Sequence, residues 1–285
     1  MHSKPSFLRR ELLKGLGLTA ALSAIGGCAT SINDSTSKAV PFSTGTEAPN
    51  FKVPPLACDC HHHIYDNQYP ADKTATLLPP NASIADYRLL QKRLGLQRNV
   101  IVQPSTYGID NSLLIASLKE MGNNSRGVCV VDINVTDKEL EALHAAGVRG
   151  VRFNLSFLVG VTPEMMLPLS QRIAPLGWHI QVNGTGAKNL TYADIFRKMP
   201  SKIVFDHLGQ PPQPAGINDP SFRLYTELLN KGNTWMKLTG AYITSQKPDY
   251  SDTNIVAKQY VEIAPDRVVW GTDWPHPTKK ANEKP

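Results

Sequence analysis

Short apolar runs alternate with amphipathic helical patterns from Leu56 almost to the end of the chain. Eight of these runs are rich in Val, Ile or Leu and lack the alternating polar face of a half-exposed strand. We interpret them as strands that are buried on both sides. The predicted strands cover residues 56–60, 99–103, 127–132, 148–153, 178–183, 202–207, 234–239 and 267–272.

Helical periodicity fills the intervals between the strands. Three helices begin after a capping residue and close at a glycine; the pairs are Ser83 with Gly95, Asn111 with Gly122, and Thr136 with Gly147. Further helices are predicted near 163–175, 191–198, 220–230 and 252–264. Eight strands with seven intervening helices predict an α/β fold, the (β/α)8 TIM barrel. An open doubly wound sheet is the alternative, but no glycine fingerprint for a dinucleotide follows the first strand.

The carboxyl end of the chain is short for such a barrel. Only about a dozen residues follow the eighth predicted strand, too few for an eighth helix. The barrel either lacks its last outer helix or the sequence is truncated. We favour truncation, because a missing helix would leave apolar strand faces uncovered.

The first 28 residues have the pattern of an export signal. Arg9 and Arg10 precede an apolar, small-residue stretch that is too short to span a bilayer. The paired arginines resemble a twin-arginine signal, so we predict export through that machinery and a periplasmic location. Residues 25–28 also resemble a lipoprotein cleavage box, which would place a lipid on Cys28 and tether the protein to the membrane. In the alternative, the signal is cleaved nearby without lipid attachment, and Cys28 has no role in the cleavage.

The remaining chain divides into a linker and one large domain. Residues 29–55 are rich in Ser, Thr, Pro and Ala and predict a flexible linker, and residues 56–285 form the barrel domain. The formal charge is +6, but the signal carries four of the basic residues and one acid, which leaves an excess of about +3. With no run of five or six like charges, we predict no nucleic-acid partner.

Polar and ionisable residues gather where the predicted strands end, which is where active sites lie in this fold. His61 and His63 follow the first strand and share one face, whereas His62 points the other way, because strand side chains alternate. His207 ends the sixth strand and Asp273 follows the eighth. Imidazoles and a carboxylate from three strand ends can converge on one metal ion or one substrate oxygen.

These positions also resemble a known family. The HxH pair, the run DHLG at 206–209 and above all WGTDWPHP at 270–277 are similar to the amidohydrolase superfamily, in the branch of 2-pyrone-4,6-dicarboxylate lactonase and sugar lactonases. The resemblance covers nearly everything from Leu56 to Pro277. It implies a hydrolase that acts on a small lactone or related carboxylic ester.

The resemblance also implies roles for individual residues. Asp273 would be the general base that takes a proton from water, and His61, His63 and His207 would polarise the carbonyl. Arg152 would hold a carboxylate or carbonyl of the substrate. The other predicted substrate-binding residues are Asn154, Thr106, Tyr107, Asn183 and Gln210.

The sequence departs from the dicarboxylate lactonase in two places. Gln210 stands where that enzyme has an arginine, and the run 154–158 lacks a basic residue used there. A doubly anionic pyrone is therefore not the expected substrate. A less charged lactone, such as a sugar lactone or a product of aromatic catabolism, fits better.

The metal requirement stays open at this point. His61, His63, His179 and Asp273 could hold one divalent ion, with zinc as the first choice, or no metal could be needed; His179 could equally be a pocket wall. The fourth strand offers Arg152 and Asn154 rather than a bridging lysine or glutamate, which argues against two metals. Two other functions remain as alternatives: a single-metal amide hydrolase or decarboxylase, and an exported binding protein without catalysis.

Overall fold

Eight strands lie side by side in chain order in one parallel sheet, which confirms the predicted TIM barrel. The structure is a computed structural model and describes residues 39–280. The predicted export signal, Cys28 and the first part of the predicted linker lie outside the described residues. The strands are β1 Cys58–His62, β2 Arg98–Val102, β3 Ser125–Cys129, β4 Val148–Asn154, β5 His179–Asn183, β6 Lys202–Phe205, β7 Thr234–Leu238 and β8 Val268–Trp270.

Helices cover the outside of the sheet. They are α1 Ile84–Leu94, α2 Ser112–Met121, α3 Asp137–Ala145, α4 Met166–Ile173, α5 Gly186–Thr191, α6 Ala193–Lys198, α7 Pro220–Lys231 and α8 Ser251–Ile263. The predicted capping of α1 and α3 is confirmed, since Ser83 and Thr136 each accept a hydrogen bond from the third backbone N–H of their helix. None of the described helices has the length and apolar character needed to cross a membrane.

Three elements differ from the sequence prediction for local reasons. The predicted helix 191–198 is two short helices, because Thr185 caps an earlier turn and accepts a hydrogen bond from the backbone N–H of Lys188. The sixth and eighth strands end two residues early, at Phe205 and Trp270. In each case the backbone then leaves the extended region, with φ of 53° at His207 and 60° at Asp273.

Beyond β8, one seam of the barrel is closed by the segment that follows the strand. The backbone N–H of Asp273 donates to the carbonyl of His61 at 2.8 Å, and that of His63 donates to the carbonyl of Trp274 at 2.8 Å. No helix follows β8 as far as residue 280, where the description ends. Trp270 on that side of the barrel is 48% exposed.

Residues 40–45 of the predicted linker pack against the barrel. Val40 is buried, and the Trp274 indole N–H donates to the carbonyl of Pro41 at 2.8 Å. The Arg93 guanidinium donates to the carbonyl of Gly45 and, at 2.6 Å, to the hydroxyl of Ser43. This segment therefore lies against Trp274, next to one of the predicted catalytic residues.

The interior of the barrel is polar below the carboxyl ends of the strands. Barrel interiors are usually filled by branched apolar side chains. Here Arg152, Gln181, Asp206 and Lys237 are at most 4% exposed and contact one another. Burying charged groups is costly unless they are paired, so this interior has a role beyond packing.

Candidate active site

Three imidazoles and one carboxylate meet at the carboxyl end of the barrel. Oδ1 of Asp273 lies 3.4 Å from Nε2 of His61, 3.7 Å from Nε2 of His63 and 3.9 Å from Nε2 of His207. All four side chains are at most 5% exposed. The four residues predicted to be catalytic from the sequence are thus brought together around one oxygen atom.

Strand alternation and a bulge place the two histidines of β1. The pairing of β1 with β2 shifts between Asp59 and His62. His61 and His63 face the interior. His62 faces α1, where its ring stacks on Tyr87 with centroids 3.6 Å apart, and it bonds to Asn99. The prediction that His62 points away from the site is therefore confirmed.

Two glycines allow the imidazoles their positions. A Cβ on Gly271 would lie 2.7 Å from the backbone nitrogen of His61, and a Cβ on Gly240 would lie 2.4 Å from Nδ1 of His207. Both distances are far below van der Waals contact. Any larger residue at either position would displace a histidine, which explains the glycine in the WGTDWPHP run.

Above this cluster lies a cavity of about 380 Å³. Of the predicted site residues, His63, His207, Asp273, Arg152, Asn154, Asn183 and Gln210 line it. His61 is fully buried behind them. The cavity also includes Ser105, Tyr65, Tyr242 and Lys279, which the sequence interpretation did not select.

Thr106 and Tyr107 are not among the described residues that line the cavity. The Thr106 hydroxyl donates to the carbonyl of Leu77, and the Tyr107 hydroxyl bonds to the backbone of Asp66. Both side chains hold neighbouring loops together. Ser105, one position earlier, lines the cavity.

His179 lies away from the cluster. It is the first residue of β5 and pairs with Gly150 and Lys202, four residues before Asn183 at the carboxyl end of the strand. At roughly 3.3 Å per residue, that separation along the strand is about 13 Å. His179 belongs to neither group of metal-competent side chains among the described residues.

Burial determines the protonation of the cluster. It lowers the pKa of His61 and of His63 well below the ordinary value, so both imidazoles are neutral at pH 7. Burial also raises the pKa of Asp273, against the opposing effects of the neighbouring His207 ring and a hydrogen bond from Tyr242. A carboxyl with a raised pKa is a better proton acceptor than an ordinary aspartate.

Asp206 is the charged centre of the polar interior. Burial alone would raise its pKa, but His61, Lys237 and Arg152 around it outweigh burial and hold the pKa well below the ordinary value. Arg152 Nε lies 3.2 Å from Oδ2, which also accepts from Gln181 at 3.1 Å. Asp206 thus stays ionised and fixes the direction in which Arg152 reaches the cavity.

The donor set fits one divalent metal ion in position and chemistry. His61 Nε2 and His63 Nε2 are 3.3 Å apart, and both lie 3.4–3.7 Å from Asp273 Oδ1. Ligands about 2.0–2.1 Å from a tetrahedral zinc ion are separated by similar distances. The three residues form one of two metal-competent groups among the described residues; His61, Asp206 and His207 form the other.

Comparison with known proteins assigns the family. The amidohydrolase family model matches residues 58–284, and the chain belongs to this family. It is 37% identical over 246 residues to a 2-pyrone-4,6-dicarboxylate hydrolase of Comamonas testosteroni, covering 81% of each chain. It is 34% identical over 232 residues to a D-galactarolactone isomerase of Agrobacterium fabrum, covering 80% of each. A crystal structure of an Agrobacterium tumefaciens protein without ligand superposes with a TM-score of 0.77 at 32% identity, covering 84% of each chain.

Proposed function

We propose that this protein hydrolyses a small lactone, a cyclic ester, with water as the nucleophile. The observation that carries the proposal is the position of Asp273 Oδ1, within 3.4–3.9 Å of three imidazole nitrogens at the floor of the cavity. The names of the relatives support the substrate class, because one acts on a pyrone dicarboxylate and another on a galactarolactone.

In the proposed reaction, Asp273 takes a proton from water as the water oxygen attacks the carbonyl carbon of the lactone. The carbonyl oxygen becomes an oxyanion, which His61 and His207 stabilise together with the Arg152 guanidinium. His63 donates from Nδ1 to the carbonyl of Val102, so its Nε2 is an acceptor that faces His61 at 3.3 Å. The ring C–O bond then breaks, and the proton on Asp273 passes to the departing alkoxide. Proton transfer by one positioned group contributes typically 10²- to 10⁴-fold in rate.

A bound metal would add one chemical function. His61, His63 and Asp273 are the residues that would hold it, and its positive charge would polarise the lactone carbonyl. If His61 and His63 held the ion through Nε2, His61 would no longer donate to the oxyanion. In either case the protein orients the ester and keeps the cluster away from bulk water.

The wall of the cavity favours a hydroxylated substrate with few charges. Gln210 donates to Asn183 at 2.6 Å, Asn183 donates to Asn154 at 2.8 Å, and Asn154 donates to the hydroxyl of Ser105 at 2.8 Å. These neutral groups both donate and accept, as recognition of hydroxyls requires. Among the described residues that line the cavity, Arg152 is the one buried cation, so we propose a sugar-acid lactone with one carboxylate.

A panel of lactones tests the proposal. Wild type and Asp273→Asn would be assayed on aldonolactones, aldarolactones, muconolactones and a pyrone dicarboxylate by the acid released. We expect turnover of a hydroxylated lactone by wild type and a loss of roughly 10²- to 10⁴-fold in the variant. Asp266→Asn serves as the matched control, because Asp266 is exposed and precedes β8, at the end of that strand opposite to the site. Equal turnover by Asp273→Asn and wild type would remove the mechanism.

The same panel separates the alternative functions. A single-metal amide hydrolase or decarboxylase would leave the lactones intact, would contain stoichiometric zinc or manganese and would lose its own activity with a chelator. A binding protein without catalysis would bind a lactone, measured by calorimetry, without releasing acid. Either result would replace lactone hydrolysis as the assigned function.

We also propose that the protein is exported to the periplasm through the twin-arginine machinery. The support is the sequence around Arg9 and Arg10 and the apolar stretch after them. A fusion of residues 1–55 to a reporter should reach the periplasm of a bacterial host, and changing both arginines to lysine should keep it in the cytoplasm. Lys4→Arg serves as the control. Incorporation of labelled fatty acid that Cys28→Ala abolishes would establish the lipid anchor, and its absence would exclude that anchor.

A further inference from the structure

Lys237 is a buried cation that the proposed reaction does not use. It lies on β7, is 3% exposed and is not among the described residues that line the cavity. Its Nζ donates to Oε1 of Gln181 at 2.8 Å and lies 3.4 Å from Oδ1 of Asp206. The Gln181 amide is oriented by both charges, because its Nε2 donates to Asp206. Lys237 is therefore held in one place below the active site.

Lys237 and Asp206 both lie within hydrogen-bonding distance of Nδ1 of His61, and only one of them can bond to it at a time. Nδ1 of His61 lies 3.2 Å from Nζ of Lys237 and 3.2 Å from Oδ1 of Asp206. If Nδ1 carries the ring hydrogen, it donates to Asp206, and Nε2 presents a lone pair to the cluster. If Nδ1 is bare, it accepts from Lys237, and Nε2 carries the hydrogen.

The opposite end of the cluster decides between these two tautomers. Nδ1 of His63 lies 2.7 Å from the carbonyl oxygen of Val102, which can only accept, so Nδ1 of His63 carries the hydrogen. Nε2 of a neutral His63 is then an acceptor. It lies 3.3 Å from Nε2 of His61, and a hydrogen bond between these two nitrogens requires the hydrogen on His61.

The remaining contacts agree with this direction. Hydrogens then point one way along the whole row, from Lys237 to His61, from His61 to His63, and from His63 to the carbonyl of Val102. Oδ1 of Asp206 has no hydrogen-bond partner among the described residues, although Nδ1 of His61 is near it. His61 therefore accepts from Lys237 instead of donating to Asp206.

We propose that Lys237 is a positioning residue that holds His61 in the tautomer with its hydrogen on Nε2. In that tautomer the one hydrogen on Nε2 of His61 lies between two acceptors, Nε2 of His63 at 3.3 Å and Oδ1 of Asp273 at 3.4 Å, and faces the place where the oxyanion would develop. A metal ion can bind Nε2 of His61 only after that hydrogen has left, because coordination needs a lone pair on that nitrogen. Lys237 thus favours hydrogen bonding by His61 in the site and weakens metal binding there, even though the donor atoms have the spacing that a metal ion needs.

Nitrogen NMR tests the tautomer directly. Long-range ¹H–¹⁵N spectra of the metal-free wild type distinguish the two ring nitrogens, and the His61 signals are those missing from His61→Gln. We expect hydrogen on Nε2 of His61 and on Nδ1 of His63. Hydrogen on Nδ1 of His61 in the wild type overturns the proposal, whatever the variants show.

Zinc affinity gives a second measurement, made on Lys237→Met and on Lys237→Arg as the matched control that keeps a cationic donor. Without the donor, Nδ1 of His61 is free to donate to Asp206, and Nε2 becomes a ligand. Changes in such supporting contacts alter metal affinity by roughly 10- to 100-fold, so we expect zinc to bind Lys237→Met at least about tenfold more tightly than wild type. Lys237→Arg should resemble wild type.

Unchanged zinc affinity in a folded Lys237→Met protein contradicts the proposal. If Lys237→Met does not fold, the wild-type spectrum alone decides. Neither measurement uses turnover, so failure to hydrolyse any lactone would refute the proposed function and leave this inference standing or falling on its own data.

Discussion

The hydroxyl of Tyr242 donates a hydrogen bond to Oδ2 of Asp273, the carboxylate oxygen that faces away from the three histidines. Oδ1 is thereby left to face the imidazoles and the cavity. Tyr242 itself is buried and packs edge-on against His276. This tyrosine, in the short 3-10 helix Ala241–Ile243 after β7, orients the proposed general base.

We expect Tyr242→Phe to lower kcat/KM while the protein stays folded. A hydrogen bond to a charged group contributes about 1.5–3 kcal/mol, so the loss should be roughly ten- to a hundredfold. Tyr107→Phe is the matched control, because its hydroxyl bonds to Asp66 outside the cavity and its loss should leave kcat nearly unchanged. Equal effects of the two substitutions would show that Tyr242 has only a packing role.

The pH profile should reflect the same contact. Asp273 must be ionised to take a proton, so activity falls as the pH drops through its pKa. Burial raises that pKa above the ordinary 3.8, and the hydrogen bond from Tyr242 opposes the rise. We therefore expect the acidic limb of kcat/KM above pH 3.8 in wild type and at a still higher pH in Tyr242→Phe. A limb that stays in place, or moves to lower pH, contradicts this assignment of the base.

Asp59 holds the seam of the barrel together. Its carboxylate accepts from the backbone N–H and the hydroxyl of Thr272 at 2.9 and 2.6 Å, from the Tyr87 hydroxyl at 3.0 Å and from the backbone N–H of His61 at 3.0 Å. The residue is fully buried. It therefore connects β1, α1 and the segment that carries Asp273.

Asp59→Ala should destabilise the fold strongly. Each buried donor left without a partner costs about 1–3 kcal/mol, so a loss of about 3 kcal/mol or more is expected. At about 2–4 °C per kcal/mol for a domain of this size, Tm should fall by about 6–12 °C. Thermal unfolding followed by circular dichroism measures the change, with the exposed Asp266→Ala as the control. A fall in Tm no larger than that of the control would exclude this role for Asp59.

The sequence was most informative where strand periodicity applies. Alternation placed His61 and His63 on one face and His62 on the other, and strand ends brought His207 and Asp273 to the same edge of the barrel. Side chains below the strand ends were not predictable in the same way. The residues around Lys237 in the sequence do not show whether it forms a surface ion pair or contacts His61. That contact arises only when the closed barrel brings β1, β5, β6 and β7 around one point.

The directions of loop side chains could not be predicted from periodicity either. Ser105 and Tyr242 line the cavity, whereas Thr106 and Tyr107 turn to neighbouring loops. The short segments after β2 and β7 determine where these side chains point. Neither segment has a periodic pattern from which the sequence could predict those directions. His179 shows the complementary case: it lies on a correctly predicted strand, but at the end of the strand opposite to the site.

Gln210 offers a test of substrate charge. It is buried in the cavity wall, where its amide donates to Asn183, and its backbone is left-handed with φ of 52°. An arginine at this position would bring a second cation beside Arg152, and its planar fork matches a carboxylate. We expect Gln210→Arg to raise kcat/KM for a dicarboxylate lactone relative to a monocarboxylate lactone by at least about tenfold, since a charged hydrogen bond contributes about 1.5–3 kcal/mol.

The comparison must separate added charge from lost contact with Asn183. Gln210→Met removes the amide without adding charge, and it should lower turnover of both lactones by similar factors. The ratio of the two kcat/KM values, measured for wild type and both variants, therefore depends on charge alone. If Gln210→Arg and Gln210→Met give the same ratio, the residue at position 210 does not discriminate between lactones with one and two carboxylates. The neutral residues of the cavity wall would then need another explanation.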